Sequence, residues 1–351
     1  MLIVDAHLDL SWNALSWNRD LEQPVEAIRR AESGMEGKSR GQNTVAFPEM
    51  RRGQVGIAFT TVLSRFKPQG TSSIDFRTQE AASAVAFGQL AYYQLLERRG
   101  VCRMVHDLDT LNQLYAAWLA GGQDTPLAFV LSMEGADPIM TPDHAETWYR
   151  SGLRVVGLAH YGPSVYAHGT GCEGGLTQQG RDLLREMERL GLILDMTHLA
   201  DESFWEAAEH FRGPLLASHN NCRVLTPGQR QFSDDQIRLI IERGGVIGAS
   251  FDAWMLTPDW NSDPAKRPSV PLANVVDNMD HICQLAGNAK HVAIGSDLDG
   301  GFGKEQSPDE LDTIADLQKL QPILTQRGYT QHDIEGIFHR NWIELLRRAW
   351  S

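Results

Sequence analysis

His7 and Asp9 stand two residues apart in LIVDAHLD, a run apolar enough to form a strand, and in a strand residues two apart face the same side. An imidazole and a carboxylate so placed can share one metal ion. Four further runs end in the same manner: PLAFVLSMEG on Glu134, LILDMTH on His198, PLLASH on His219 and HVAIGSDLDG on Asp297. Glu134 follows apolar and small residues, and an ionised carboxylate buried there needs a counter-charge. A cation supplies one; an arginine is the ordinary alternative.

Together these runs offer enough ligands for two divalent ions, with Glu134 between them. Such a pair, sharing a carboxylate and a water, makes a hydrolytic site in which the bridging water loses its proton near neutral pH and becomes the nucleophile. Asp297 is the expected proton carrier, from that water to the leaving amine. Asp299 shares its strand parity but opens a Gly-rich turn, where a structural role is expected. His160 ends the run GLAH and is expected to bind substrate or the oxyanion of a tetrahedral intermediate. Arg230, in PGQRQFSDD, is placed to clamp a substrate carboxylate. His168, His281 and His339 are read as structural.

Side chains from such distant runs meet only if the runs are parallel neighbours with their C-terminal ends at one rim. Eight β-rich runs are legible, at 2–8, 55–63, 127–135, 154–160, 192–198, 214–220, 245–251 and 291–298. Helical periodicity fills 78–100, 176–191, 200–211, 233–245 and 272–287, with Ser, Thr or Asp opening several of these and Gly closing them. Near-continuous apolar strands alternating with helices predict a TIM-like (β/α)8 barrel whose metal site lies at the C-terminal strand ends. A doubly wound open sheet would need a Gly-rich phosphate turn directly after a strand; GxxxxGK[ST] does not occur, and the GxGxxG match GTGCEG at 169–174 does not directly follow a strand-like run. One barrel domain over 1–351 is expected, with a long loop at about 10–54 over the barrel mouth and helices at about 308–351 packed outside.

With 32 basic and 45 acidic residues, the formal charge of −13 argues against electrostatic capture of nucleic acid or an anionic membrane. The four cysteines lack CxxC spacing, so neither a zinc ribbon nor a disulfide scaffold is expected. The opening MLIVDAHLDL does not read as a secretion signal, and no run is long and apolar enough to span a bilayer. The expected location is the cytoplasm.

The motifs DAHLDL, SMEGAD, DMTH, ASHNN and IGSDLDGG, in this order and approximate spacing through almost the whole chain, resemble the membrane dipeptidase (renal dipeptidase-like) family of zinc peptidases. The resemblance implies an αβ barrel with two zinc ions bridged by Glu134 and a water or hydroxide. It also implies hydrolysis of dipeptides with a free C-terminal carboxylate. By motif it puts His7 and Asp9 on one zinc, His198 and His219 on the other, proton transfer on Asp297, and His160 and Arg230 on the substrate. It allows a homodimer.

Three stretches depart from the family pattern: Gly135, Ala136 and Asp137 after the glutamate, where many relatives have Gly-Gly-His; 159–171; and Ser250 to Trp254. Asp252 is accordingly a candidate for contact with a cationic substrate group. The same chemistry on an N-acyl amino acid, lactam or lactone is the sister reading, and a metal-binding scaffold without turnover is the reading from another class.

Overall fold

A computed structural model describes residues 1–122 and 124–351. The predicted runs all carry parallel strands: β1 (Ile3–Leu8), β2 (Val55–Val62), β3 (Leu127–Met133), β4 (Leu153–Gly157), β5 (Ile193–Asp195), β6 (Leu215–Leu216), β7 (Ile247–Ala249) and β8 (Val292–Ile294). β1 to β6 pair in sequence order in one parallel sheet, while β7 and β8 form a separate two-stranded ladder. A bridge between Ala217 and Ile247 carries the sheet from β6 to β7. The result is a TIM-like (β/α)8 barrel.

Among the described residues no strand ladder joins β8 to β1. Hydrogen bonds span that seam instead: Ser296 N donates to Asp5 Oδ1 at 2.8 Å, Asp297 N to His7 O at 3.3 Å and Asp9 N to Asp299 Oδ1 at 2.8 Å. Where β6, β7 and β8 converge, the backbones touch. A Cβ at Gly248 would lie 2.0 Å from Ser218 O and one at Gly295 only 1.7 Å from it, so neither position admits a side chain.

The five expected helices form, and their caps match the sequence signals. Thr78 and Thr177 accept from Ala81 N and Gly180 N, Ser233 makes a capping box with Gln236, and Gly191 and Gly287 close their helices in the left-handed region. Elements without a sequence reading include the strand Cys102–Met104, which pairs beside the first residues of β3, the helices Leu108–Leu119 and Ala145–Arg150, and the two-residue strands Arg65–Phe66 and Asp75–Phe76.

The segment 10–54 carries three short helices, Leu10–Ser16, Val25–Ala31 and Phe47–Arg52. Gly, Arg and Glu made it read as loop, yet several of its charged residues are internal struts. Arg19 is buried and bonded to both oxygens of Glu32, to Asn13 and to Ser39, and Arg40 reaches the same Glu32.

The stretch 308–351 is mostly helical and ends in Asn341–Ala349. Trp342 is fully buried, with its ring 5.5 Å from Phe59 and its Nε1 donating to Ile294 O. Nearby, His339 Nδ1 lies 2.8 Å from the Tyr115 hydroxyl, and burial pushes this imidazole down to about 4 from 6.5. The unfolded chain therefore takes up a proton at His339 below about pH 6.5 that the folded chain takes up only near 4. Its stabilising contribution is full above pH 6.5 and is lost as the pH falls through 4. Thermal melts should show His339→Gln losing less Tm between pH 7 and 5 than the parent protein, by roughly 2–4 °C; equal losses would refute this.

Candidate metal centre

Each expected metal ligand, together with His160 and Asp297, lies at or just beyond the end of a ladder, whereas Arg230 lies in the loop between β6 and the helix that starts at Asp234. His7 is within β1 and Asp9 follows it; Glu134 directly follows β3; His160, His198, His219 and Asp297 each come three residues after β4, β5, β6 and β8. The apolar runs thus continue past the hydrogen-bonded strands as buried, irregular backbone. At His198 and Asp297 the chain turns through the left-handed region, with φ of 66° and 58°, unusual for residues other than glycine and common at functional positions.

These side chains converge on Glu134. Its Oε1 lies 3.2 Å from His198 Nε2, 3.5 Å from His219 Nε2, 3.6 Å from His7 Nε2 and 3.6 Å from His160 Nε2. His7 Nε2 is also 3.9 Å from both Asp9 Oδ1 and Asp297 Oδ1. Three ligand-capable groups result: His7 with Glu134 and His219, Glu134 with His160 and His198, and His7 with Asp9 and Asp297.

All of these residues are buried except His160, which is partly exposed. Among the described residues His7 Nε2 has no hydrogen-bond partner, and it is a buried nitrogen facing the carboxylates of Asp9, Glu134 and Asp297.

Other groups hold this set in place, and sequence reading missed most of them. Asp5 Oδ1 accepts from His7 N and Ser296 N; Asp195 Oδ1 accepts from Thr197 N and Ser218 N. Each carboxylate ties a ligand-bearing strand end to its neighbour. Asp299, expected to be structural, accepts from Asp9 N at 2.8 Å through Oδ1, and the Thr61 hydroxyl donates to Asp9 Oδ1. The only signal for these residues was an aspartate two places before His7 and three before His198.

The inner ring nitrogens also have partners. Ser218 Oγ is 2.9 Å from His219 Nδ1 and 3.4 Å from His7 Nδ1, and Thr170 Oγ1 is 3.1 Å from His198 Nδ1. A hydroxyl can accept the Nδ1 proton and leave Nε2 free to bind metal.

The electrostatics favour a bound cation. Burial, then the neighbouring Asp9 and Asp297 carboxylates, push Glu134 well up; burial and Asp9 do the same to Asp297; burial takes Asp9 to about 7. Burial, then the Arg230 guanidinium, lower His7 to about 3 and hold His198 well down. Neutral imidazoles are ligands, and a bound cation would reverse the carboxylate shifts. The residues present fit a metal.

A cleft opens over this centre, with Trp12, Tyr161, Arg230, Asp252 and Met255 in its wall. Arg230 is buried and held by Asn220 Oδ1 at 3.1 Å and His219 O at 2.9 Å. Asp252 Oδ1 accepts from Gln306 at 2.7 Å and from Trp254 N at 3.3 Å, and burial raises it to about 6. Asp137 stands apart from the cleft wall: its two oxygens accept from Phe66 N and Val165 N and so join two loops above the barrel. His168 and His281 bond to Gly175 O and Asp234.

A histidine and carboxylate cluster at the C-terminal rim of a parallel barrel, beneath a cleft, defines a metal-dependent hydrolase. Among known proteins, the sequence model for membrane dipeptidase (peptidase family M19) matches residues 1–350, and the chain belongs to that family of metallopeptidases. A metallopeptidase of Rhodobacter sphaeroides, solved with a phosphinate mimic of the dipeptide L-Ala-D-Ala, superposes with a TM-score of 0.80 at 25% identity, covering 100% of this chain and 99% of that one. An uncharacterised protein from the pqqA 5′ region of Klebsiella pneumoniae is 32% identical over 65% of this chain and 84% of its own length. Dipeptidase tcpJ of Claviceps purpurea is 26% identical over 85% of this chain and 67% of its own.

Proposed function

We propose that this enzyme hydrolyses the peptide bond of dipeptides at a dinuclear zinc centre, with His7 and Asp9 on one ion, His198 and His219 on the other, and Glu134 shared. The observation that carries this reading is the single oxygen Glu134 Oε1 facing the Nε2 atoms of His7, His198 and His219 at 3.2 to 3.6 Å. When bound, the metal pair would acidify a shared water and polarise the scissile carbonyl.

The chain's own residues do the rest. Asp297 holds a proton at its carboxylate and passes it to the departing amine. His160 donates from Nε2 to the carbonyl oxygen as charge develops there. Arg230, immobilised by two hydrogen bonds, binds the substrate's C-terminal carboxylate. Asp252, in the wall of the same cleft, pairs with the substrate's amino group. Four free cysteines support a reducing compartment such as the cytoplasm.

The test is a purified, zinc-loaded enzyme offered dipeptides in one panel and N-acyl amino acids, lactams and lactones in another, with bound metal counted in parallel. About two equivalents of zinc and preferential turnover of dipeptides are expected. Preference for the second panel would move the function to the sister reaction, and less than about one equivalent with no turnover would favour a scaffold. Asp252→Asn keeps the acceptor that Trp254 N uses and removes the charge. It should lower kcat/KM for dipeptides with a free amino terminus by about 10-fold, as loss of one charge-assisted hydrogen bond does, and leave N-blocked substrates unaffected. Unchanged selectivity would remove Asp252 from substrate recognition.

A further inference from the structure

Four imidazoles face Glu134 Oε1 at nearly equal distances, so proximity does not separate ligands from hydrogen-bond donors. Their second nitrogens do. His7, His198 and His219 present Nδ1 to the hydroxyls of Ser218 and Thr170, which can accept a proton. His160 presents Nδ1 to Arg65 Nη1 at 3.1 Å, and a guanidinium has donors only.

We infer that Arg65 is a positioning residue for the reaction. By donating to His160 Nδ1 it fixes the ring proton on Nε2, making His160 a hydrogen-bond donor to the reacting carbonyl oxygen and barring it from serving as another metal ligand. This rests on the role given to His160 above.

Arg65 is built to hold that direction. Its Nε donates to Asp75 Oδ1 at 2.7 Å and its Nη2 lies 2.6 Å from the same oxygen, leaving Nη1 for the histidine. Arg65–Phe66 and Asp75–Phe76 form a two-residue parallel ladder in which Arg65 stands opposite Asp75. Asp137 fastens that ladder, through Phe66 N, to the loop after His160, through Val165 N, each at 2.9 Å. Both Nδ1 and its donor are therefore referenced to one buried carboxylate. This gives Asp137, where the sequence leaves the family pattern, a structural reason.

The direct test is nitrogen NMR of zinc-loaded protein carrying ¹⁵N-histidine, with His160 assigned by its absence from His160→Ala. An unprotonated Nδ1 and a protonated Nε2 are expected for His160; the reverse would overturn the inference. In kinetics, Arg65→Met should lower kcat roughly 10- to 100-fold, the range seen when a group orienting an active-site histidine is lost, with KM and bound zinc nearly unchanged. In a His160→Ala background the same substitution should change kcat less than about 2-fold.

A full-sized loss in that background would show Arg65 acting elsewhere, and a silent Arg65→Met beside a crippled His160→Ala would sink the role of Arg65 alone. Unaltered turnover in His160→Ala would instead sink the role of His160 itself.

Discussion

Glu134→Gln should lower turnover by a factor on the order of 1,000 or more and reduce bound metal to one equivalent or less, while the circular dichroism of the barrel is retained. Glu134 Oε1 faces the Nε2 atoms of three proposed ligands, so one oxygen contributes to both halves of the centre. Glutamine keeps the shape and removes the negative charge both ions would share, and the Lewis-acid contribution lost with a metal pair amounts to several kcal/mol of the barrier. The readouts are elemental analysis after zinc reconstitution and single-turnover kinetics. Full metal content with activity within tenfold of the parent would end the proposal of a shared carboxylate.

Asp297→Asn should cut kcat by about 100-fold or more, as removal of a general acid or base does, with zinc content unchanged. The substitution is clean for a backbone reason. Asp297 sits at φ 58°, and asparagine is the other common side chain that tolerates this region, so the turn after β8 is preserved. Its carboxylate is 3.9 Å from His7 Nε2, at the same separation as Asp9 Oδ1, so ligation is the rival role. Metal analysis decides between them: zinc lost together with activity would make Asp297 a ligand.

The barrel was legible because each strand is an uninterrupted apolar run closed by a polar residue, and the helices between them carry cap residues that follow local rules. His7, Asp9, Glu134, His160, His198, His219 and Asp297 could be read because their chemistry recurs at one position in each unit. What could not be read depends on contacts across the chain. Asp5 and Asp195 are as acidic in sequence as Asp9, yet they hold backbone amides, and only the fold tells the two uses apart. Arg65 meets His160 from a two-residue strand with no pattern of its own. The struts inside 10–54 looked like solvated charge, because a buried Arg19 and Glu32 have the same letters as exposed ones.

The seam between β1 and β8 bears on how the protein is made. The proposed metal ligands are all encoded by position 219, but Asp5 and Asp9, on either side of His7, take hydrogen bonds from Ser296 N and give one to Asp299 Oδ1. A nascent chain paused before β8 would therefore carry a complete set of donor atoms with the first pair unaligned. The first pair is held in place only once the last strand has docked beside the first.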